Sequence, residues 1–171
     1  VNLVLVGFMG AGKTTVGRLV AERLGLAFVD VDAELERRAG RSIAAIFAAD
    51  GEAGFRAREA ELIAEVARGV GQLIAAGGGA LLRPESRAAL EAGGVLVCLR
   101  ARAEEIARRL GEAAERPLLA ADPSGERVAA LLAERQALYD TVRLQVETTG
   151  RTPAQVADEV VELWQSERHA G

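Results

Sequence analysis

Apolar residues follow two alternating rhythms along this chain. Short unbroken runs, Leu3-Val4-Leu5-Val6 and Val95-Leu96-Val97-Cys98-Leu99, have the length and density of strands buried on both faces of a parallel sheet. Between such runs the apolar positions take helical spacing. Val16, Leu19, Val20 and Leu24 recur at i, i+3, i+4 and i+8, one face of a helix. The pattern predicts strands near residues 2–6, 27–30, 72–76, 94–99 and 143–147. It predicts helices near 12–25, 32–39, 42–49, 52–68, 84–92, 102–110, 125–140 and 153–168. The last carries its own start signal, with Thr152 as N-cap, Pro153 at the first helical position and Gln155 closing a capping box. Its stripe of Val156, Val160, Leu163 and Trp164 faces the core. Strand and helix alternating in this way predict an α/β sandwich around a parallel sheet. The segment 111–125 has only Leu118 and Leu119 to bury, and loops of that length in compact domains are often mobile lids.

Composition narrows the class. The 171 residues suit one domain with a real core, half of them apolar, at a net charge of −4. That balance argues against a nucleic-acid surface. The N-terminal apolar run is too short for a membrane span and lacks a basic flank, so neither an anchor nor a signal peptide is expected. Cys98, the single cysteine, sits in an apolar run and reads as a small buried hydrophobe. The single histidine, His169, belongs to what reads as a frayed tail. The expected location is the cytoplasm, and the expected state a monomer.

Candidate chemistry begins at Gly7-Phe8-Met9-Gly10-Ala11-Gly12-Lys13-Thr14, which fits the phosphate-binding loop G-x-x-x-x-G-K-[ST]. It lies between a predicted strand and a predicted helix, the context the motif requires. Backbone N–H groups around Gly10, Ala11 and Gly12 would cradle phosphates at the positive end of the helix dipole, with Thr15 following in the first turn. Lys13 would reach the β- and γ-phosphates, and Thr14 would ligate Mg²⁺. The alternative is a glycine-rich turn without a ligand. Against it stands the basic composition, 20 arginines and one lysine, with that lysine at position 13. A compact ammonium suits this place better than a planar guanidinium.

Ligands in open parallel sheets sit beyond the carboxyl ends of the strands. The second strand exits through Phe28-Val29-Asp30-Val31-Asp32, which places Asp30 and Asp32 on one side while the chain stays extended. One carboxylate is expected to serve the metal and the other the acceptor, unless Asp32 only caps the next helix. The third strand exits through Gly77-Gly78-Gly79, and three glycines there suggest a close approach of backbone to a ligand, with a plain loop as the alternative. Arg135 falls in the middle of an apolar stripe of Val128, Leu131, Leu132, Leu138 and Tyr139, so it must meet an anion or snorkel outward. Glu59 is central to the face of Phe55, Leu62, Ile63 and Val66, three residues after Arg56. It would hold that guanidinium ready for a carboxylate or phosphate. A purely structural ion pair is the alternative, and Arg58 borders the same face. Arg37-Arg38 and Arg108-Arg109 read by default as solvated.

Taken together, the motif at 7–15, Phe-Val-Asp-Val-Asp at 28–32, Ser-Ile-Ala-Ala-Ile-Phe at 42–47 and Gly-Glu-Ala-Gly-Phe-Arg-Ala-Arg-Glu at 51–59 resemble the shikimate kinases. The likeness continues through Gly-Gly-Gly-Ala at 77–80, Arg-Pro-Leu-Leu at 116–119 and Arg-Gln-Ala-Leu-Tyr at 135–139. The resemblance implies one P-loop kinase domain over 1–171, a three-layer α/β/α sandwich with a five-stranded parallel sheet, substrate-binding helices near 32–60 and a mobile lid near 111–125. It implies ATP-dependent phosphorylation of the 3-hydroxyl of shikimate, with Mg²⁺ bound by Thr14 and Asp30. It further implies that Asp32 meets the acceptor hydroxyls, as base or as orienting group. Arg56, Arg135 and the backbone at Gly78 and Gly79 would hold shikimate. Arg116 would close over the transferring phosphate, while Arg109, Arg151 and Pro153 would border the adenine. A gluconate kinase would share the ATP half. A GTP-dependent switch is excluded, because Asn-Lys-x-Asp cannot be written with Lys13 and Asn2 as the only lysine and asparagine.

Overall fold

A computed structural model describes residues 1–111 and 125–170. The order of elements is β1 (Asn2–Val6), α1 (Lys13–Leu24), β2 (Ala27–Asp30), α2 (Val31–Ala39), α3 (Ile43–Val66) and β3 (Gln72–Ala75). After a 3₁₀ turn at Ala80–Leu82 come α4 (Pro84–Gly93), β4 (Gly94–Arg100), α5 (Ala103–Gly111), α6 (Glu126–Asp140), β5 (Leu144–Glu147) and α7 (Pro153–Ala170). All five strands are parallel, in the order β2-β3-β1-β4-β5.

β1 occupies the centre, and every one of its residues is buried. Its side chains alternate between two cores, as a period of two demands. Leu3 and Leu5 join Val16, Val20, Val156, Val160 and Trp164 on the face covered by α1 and α7. Val4 and Val6 join Leu35, Ile46, Leu62, Leu90 and Ile106 on the other. Each such side chain contributes about 1.5–3 kcal/mol when fully buried, so both helical layers are anchored through one strand.

The two helices expected at 42–49 and 52–68 run on as α3, but Gly51 breaks it with φ 70° and ψ 179°. Glycine takes that left-handed turn without the steric penalty of a Cβ. Ser42 caps the first half through Ala45 N, at 3.1 Å. At α7 the capping box closes in both directions, with Gln155 N donating to Thr152 Oγ1 at 3.2 Å and Thr152 N to Gln155 Oε1 at 2.9 Å. The helix reaches Ala170, so His169 lies in its last turn and not in a frayed tail. Cys98 is buried, and burial pushes its thiol up to about 11. Among the described residues no helix is long and apolar enough to cross a membrane.

Candidate active site

The loop between β1 and α1 supplies the first wall. Gly10 and Gly12 hold φ of 79° and 99°, and α1 opens at Lys13 with no side chain capping it. Uncapped N–H groups at a helix start are available to an anion. Lys13 Nζ crosses the loop and donates to Gly7 O at 2.6 Å and Phe8 O at 3.0 Å. A cleft of about 190 Å³ opens beside it, lined by Gly10, Gly12, Lys13, Thr14, Thr15, Asp30, Asp32 and Gly78 among others.

Asp30 ties this wall to β2. Its Oδ2 accepts from Thr14 Oγ1 at 2.7 Å, and its Oδ1 accepts from Ala33 N at 3.1 Å. The helix cap is therefore Asp30, not Asp32, and the chain does not stay extended through Asp32 because α2 already begins at Val31. Both carboxylates nevertheless line the same cleft. The hydroxyl and carboxylate of Thr14 and Asp30 form an oxygen-only donor pair, the type a hard Mg²⁺ takes together with waters and phosphate oxygens.

The second wall is built on the glycines at 77–79, and at each a Cβ would press on a neighbour that must shift to admit it. One at Gly77 would stand 2.6 Å from Glu59 Oε2 and 2.9 Å from Asp32 Oδ1. One at Gly78 would meet Met9 N at 3.0 Å, and one at Gly79 would meet Arg56 Nη2 at 2.4 Å. The close approach expected from the sequence is thus made to the site's own side chains and to the phosphate-binding loop.

Arg56 and Glu59 are buried on α3, with Arg56 Nη1 donating to Glu59 Oε1 at 2.8 Å. Burial raises the Glu59 carboxyl above its usual range; Arg56 opposes this, nearby Asp32 adds to it, and Arg135 opposes it. Two arginines and two carboxylates therefore share one electrostatic neighbourhood. Arg135, only 4% exposed on α6, donates to Gly78 O through Nη1 at 3.4 Å. Its Cζ lies 5.8 Å from the Phe8 ring centroid, a cation–π contact with the phosphate-binding loop. It does not snorkel.

Other candidates fall elsewhere. Arg58 pairs with Asp50 at 3.0 Å on the surface, away from Arg56. Arg37 and Arg38 engage Glu34, and Arg38 also engages Glu65, on an exposed face. Arg109 pairs with Glu105 at 3.0 Å but also reaches Gly10 O at 3.1 Å and Thr148 Oγ1 at 3.2 Å, so it is not simply solvated. Arg151 is engaged by Glu159 at 2.5 Å, Glu147 O at 2.9 Å and Gln155 O at 3.1 Å, next to Pro153 at the start of α7. Arg116 and nearly all of the expected lid lie outside the described residues.

The model of the family described as shikimate kinase matches residues 9–165. The chain belongs to the shikimate kinase family. A shikimate kinase of Geobacter metallireducens is 46% identical over 159 residues, 93% of this chain and 89% of that protein. The solved shikimate kinase of Acinetobacter baumannii, in complex with shikimate, superposes with a TM-score of 0.92 at 38% identity, covering 97% of this chain and 93% of that one. The shikimate kinase of Aquifex aeolicus gives 0.85 at 31% identity, over the full length of both. The parallel five-stranded sheet with helices on both faces is the P-loop kinase fold expected from the sequence, and the shikimate kinase family is one of ATP-using phosphotransferases.

Tyr139 is a site neighbour that the apolar pattern concealed. It reads as core packing, and its ring is buried, yet its hydroxyl donates to Gly78 O. The available signal was its position four residues after Arg135, which puts both on one helical face.

Proposed function

We propose that this chain transfers the γ-phosphoryl group of ATP to the 3-hydroxyl of shikimate. The observation that carries the reading is the pair of buried guanidiniums, Arg56 on α3 and Arg135 on α6, meeting at the glycines 77–79 beside Asp32 and the phosphate-binding loop. A buried cation needs an anionic partner, and Arg56 already has Glu59. Arg135 has a carbonyl, the Tyr139 phenol oxygen and a ring face but no carboxylate among these contacts, so a ring carboxylate would complete its coordination.

In this reading the N–H groups of Gly10, Ala11 and Gly12 and the Lys13 ammonium hold the phosphates. Thr15 follows in the first turn, and Thr14 and Asp30 hold Mg²⁺, which when bound neutralises phosphate charge. Asp32 orients the acceptor hydroxyl and receives its proton late, since a loose transition state asks little of a base early. Arg56, Arg135 and the backbone of Gly78 and Gly79 fix the acid. Arg109, already against Gly10 O, borders the nucleotide. Arg151, held on three sides, contributes the shape of the loop at Pro153 more than a charge. Arg116 would supply positive charge to the equatorial oxygens.

The reading extends to a cytoplasmic monomer with a small-molecule substrate and neither nucleic acid nor membrane as partner. Size-exclusion chromatography with light scattering checks the oligomeric state. The decisive assay is ADP release with and without shikimate, with gluconate run in parallel. Stimulation by shikimate alone is expected, and stimulation by gluconate instead would transfer the chain to another acid. Arg135→Ala should raise KM for shikimate while leaving KM for ATP nearly unchanged. Unaltered shikimate binding in that variant would remove Arg135 from the clamp.

A further inference from the structure

We propose that Tyr139 is a positioning residue that holds the acceptor clamp in place through the carbonyl of Gly78, an inference that rests on the shikimate reading above. Gly78 O accepts from two donors on α6, the Tyr139 hydroxyl and Arg135 Nη1. The peptide that follows is planar, so fixing this carbonyl also fixes the direction of the Gly79 N–H. It fixes as well the heights of Gly77, against Glu59 and Asp32, and of Gly79, against Arg56. One hydroxyl thereby sets the register of three elements that meet the acceptor.

Tyr139 is itself held rigidly. Its own carbonyl accepts from Gln145 Nε2 at 2.8 Å and from Val142 N at 3.0 Å, and its ring is 3% exposed. Burial keeps the phenol protonated, up to about 12, so it remains a donor at every pH at which the enzyme would work. The division of labour with Arg135 follows from donor count. The tyrosine offers one O–H and spends it on Gly78 O, whereas a guanidinium offers five N–H groups. With the carbonyl satisfied by the hydroxyl, the arginine makes only a long 3.4 Å contact there, donates to the phenol oxygen of Tyr139 as well, and keeps the rest of its fork for a carboxylate. Without the hydroxyl, Arg135 would be drawn onto the carbonyl and away from the acid.

The test is Tyr139→Phe, which keeps the buried ring and removes only the donor. Val160→Ala serves as a packing control, since that residue is buried on the far face of the sheet. KM for shikimate in the ADP-release assay, KM for ATP, the calorimetric Kd for shikimate and the melting temperature are measured for all three proteins, below every melting point. Tyr139→Phe should raise KM and Kd for shikimate together by roughly five- to twentyfold, the scale of one lost buried hydrogen bond, with KM for ATP almost unmoved. Val160→Ala should lower the melting temperature and leave both KM values alone. A Tyr139→Phe protein with a lower melting temperature but wild-type KM and Kd for shikimate would overturn the proposal and make the hydroxyl purely structural. Absence of shikimate-dependent ADP release in the wild type would instead overturn the functional reading, and this inference with it.

Discussion

The guanidinium of Arg56 lies so close over Gly79 that a Cβ at that glycine would stand 2.4 Å from Nη2. The arginine cannot simply swing aside, because it is buried and donates to Glu59 at 2.8 Å. Gly79→Ala should therefore force the Arg56 guanidinium, which the proposed reading turns toward shikimate, out of its place while leaving most of the core intact. The expected outcome is a rise in KM for shikimate of about tenfold or more, the scale of a lost charge-assisted hydrogen bond, with a small fall in melting temperature. Steady-state kinetics beside a thermal melt separates the two effects.

Lys13 should be irreplaceable even by the other basic residue. Its ammonium donates to Gly7 O and Phe8 O within the turn of the loop, a geometry suited to a compact point charge. Lys13→Ala should cost on the order of 10²–10³ in kcat, as for other electrostatic donors to a transition state. Lys13→Arg should recover little of it. Both are read from single-turnover ADP formation at saturating ATP.

Glu59 gives a pH signature whose sign is determined by its burial. Its carboxyl is raised in the folded protein, so the native state holds a proton that the unfolded chain has released above pH 4.5. Its contribution to stability is therefore complete below about pH 4.5 and is lost as pH climbs through the raised value. Glu59→Gln has nothing to titrate. The stability advantage of wild type over Glu59→Gln should shrink as pH rises from 4.5 toward neutrality, measured by urea unfolding at each pH. An advantage that grows instead would mean a carboxyl held below its usual range.

Tyr139 can be watched directly because the chain has one tyrosine. Phenolate absorbance during alkaline titration should report a midpoint near 12, well above the ordinary value of about 10. A midpoint at the ordinary value would place the ring in contact with solvent.

Much of this architecture is legible in the chain because β1 and β4 carry unbroken apolar runs and the breaks between elements are glycines and caps. β1 and β4 read as buried runs, and Gly51 separates two helical stretches just where φ turns positive. The phosphate-binding loop is legible for the same local reason, its motif being contiguous. What escapes is whatever depends on a helix starting one residue sooner. α2 begins at Val31, so Asp30 is the cap, although alternation along an extended strand could not distinguish it from Asp32. Tyr139 escapes because an aromatic within an apolar stripe looks like packing, and only the tertiary position of Gly78 O reveals its hydroxyl. Arg109 enters the sequence reading only through the family resemblance, since the Arg108-Arg109 pair by itself reads as solvated and its reach to Gly10 spans 99 residues of chain.

The strand order divides the candidate residues around the phosphate-binding loop into two groups of different origin in the chain. Asp32, Arg56, Glu59 and the glycines 77–79 all come from the β2–β3 flank, and Arg109 and Arg151 from the β4–β5 flank, with β1 dividing them. Among the described residues, α6 carries residues from the second flank back to the first, through Arg135 and Tyr139. On the proposed assignment of these residues, recognition of the acid and recognition of the nucleotide can drift almost independently in such a scaffold. A change of acceptor would need coordinated replacements in one half plus two positions on a single helix, a small enough set to explore by recombination.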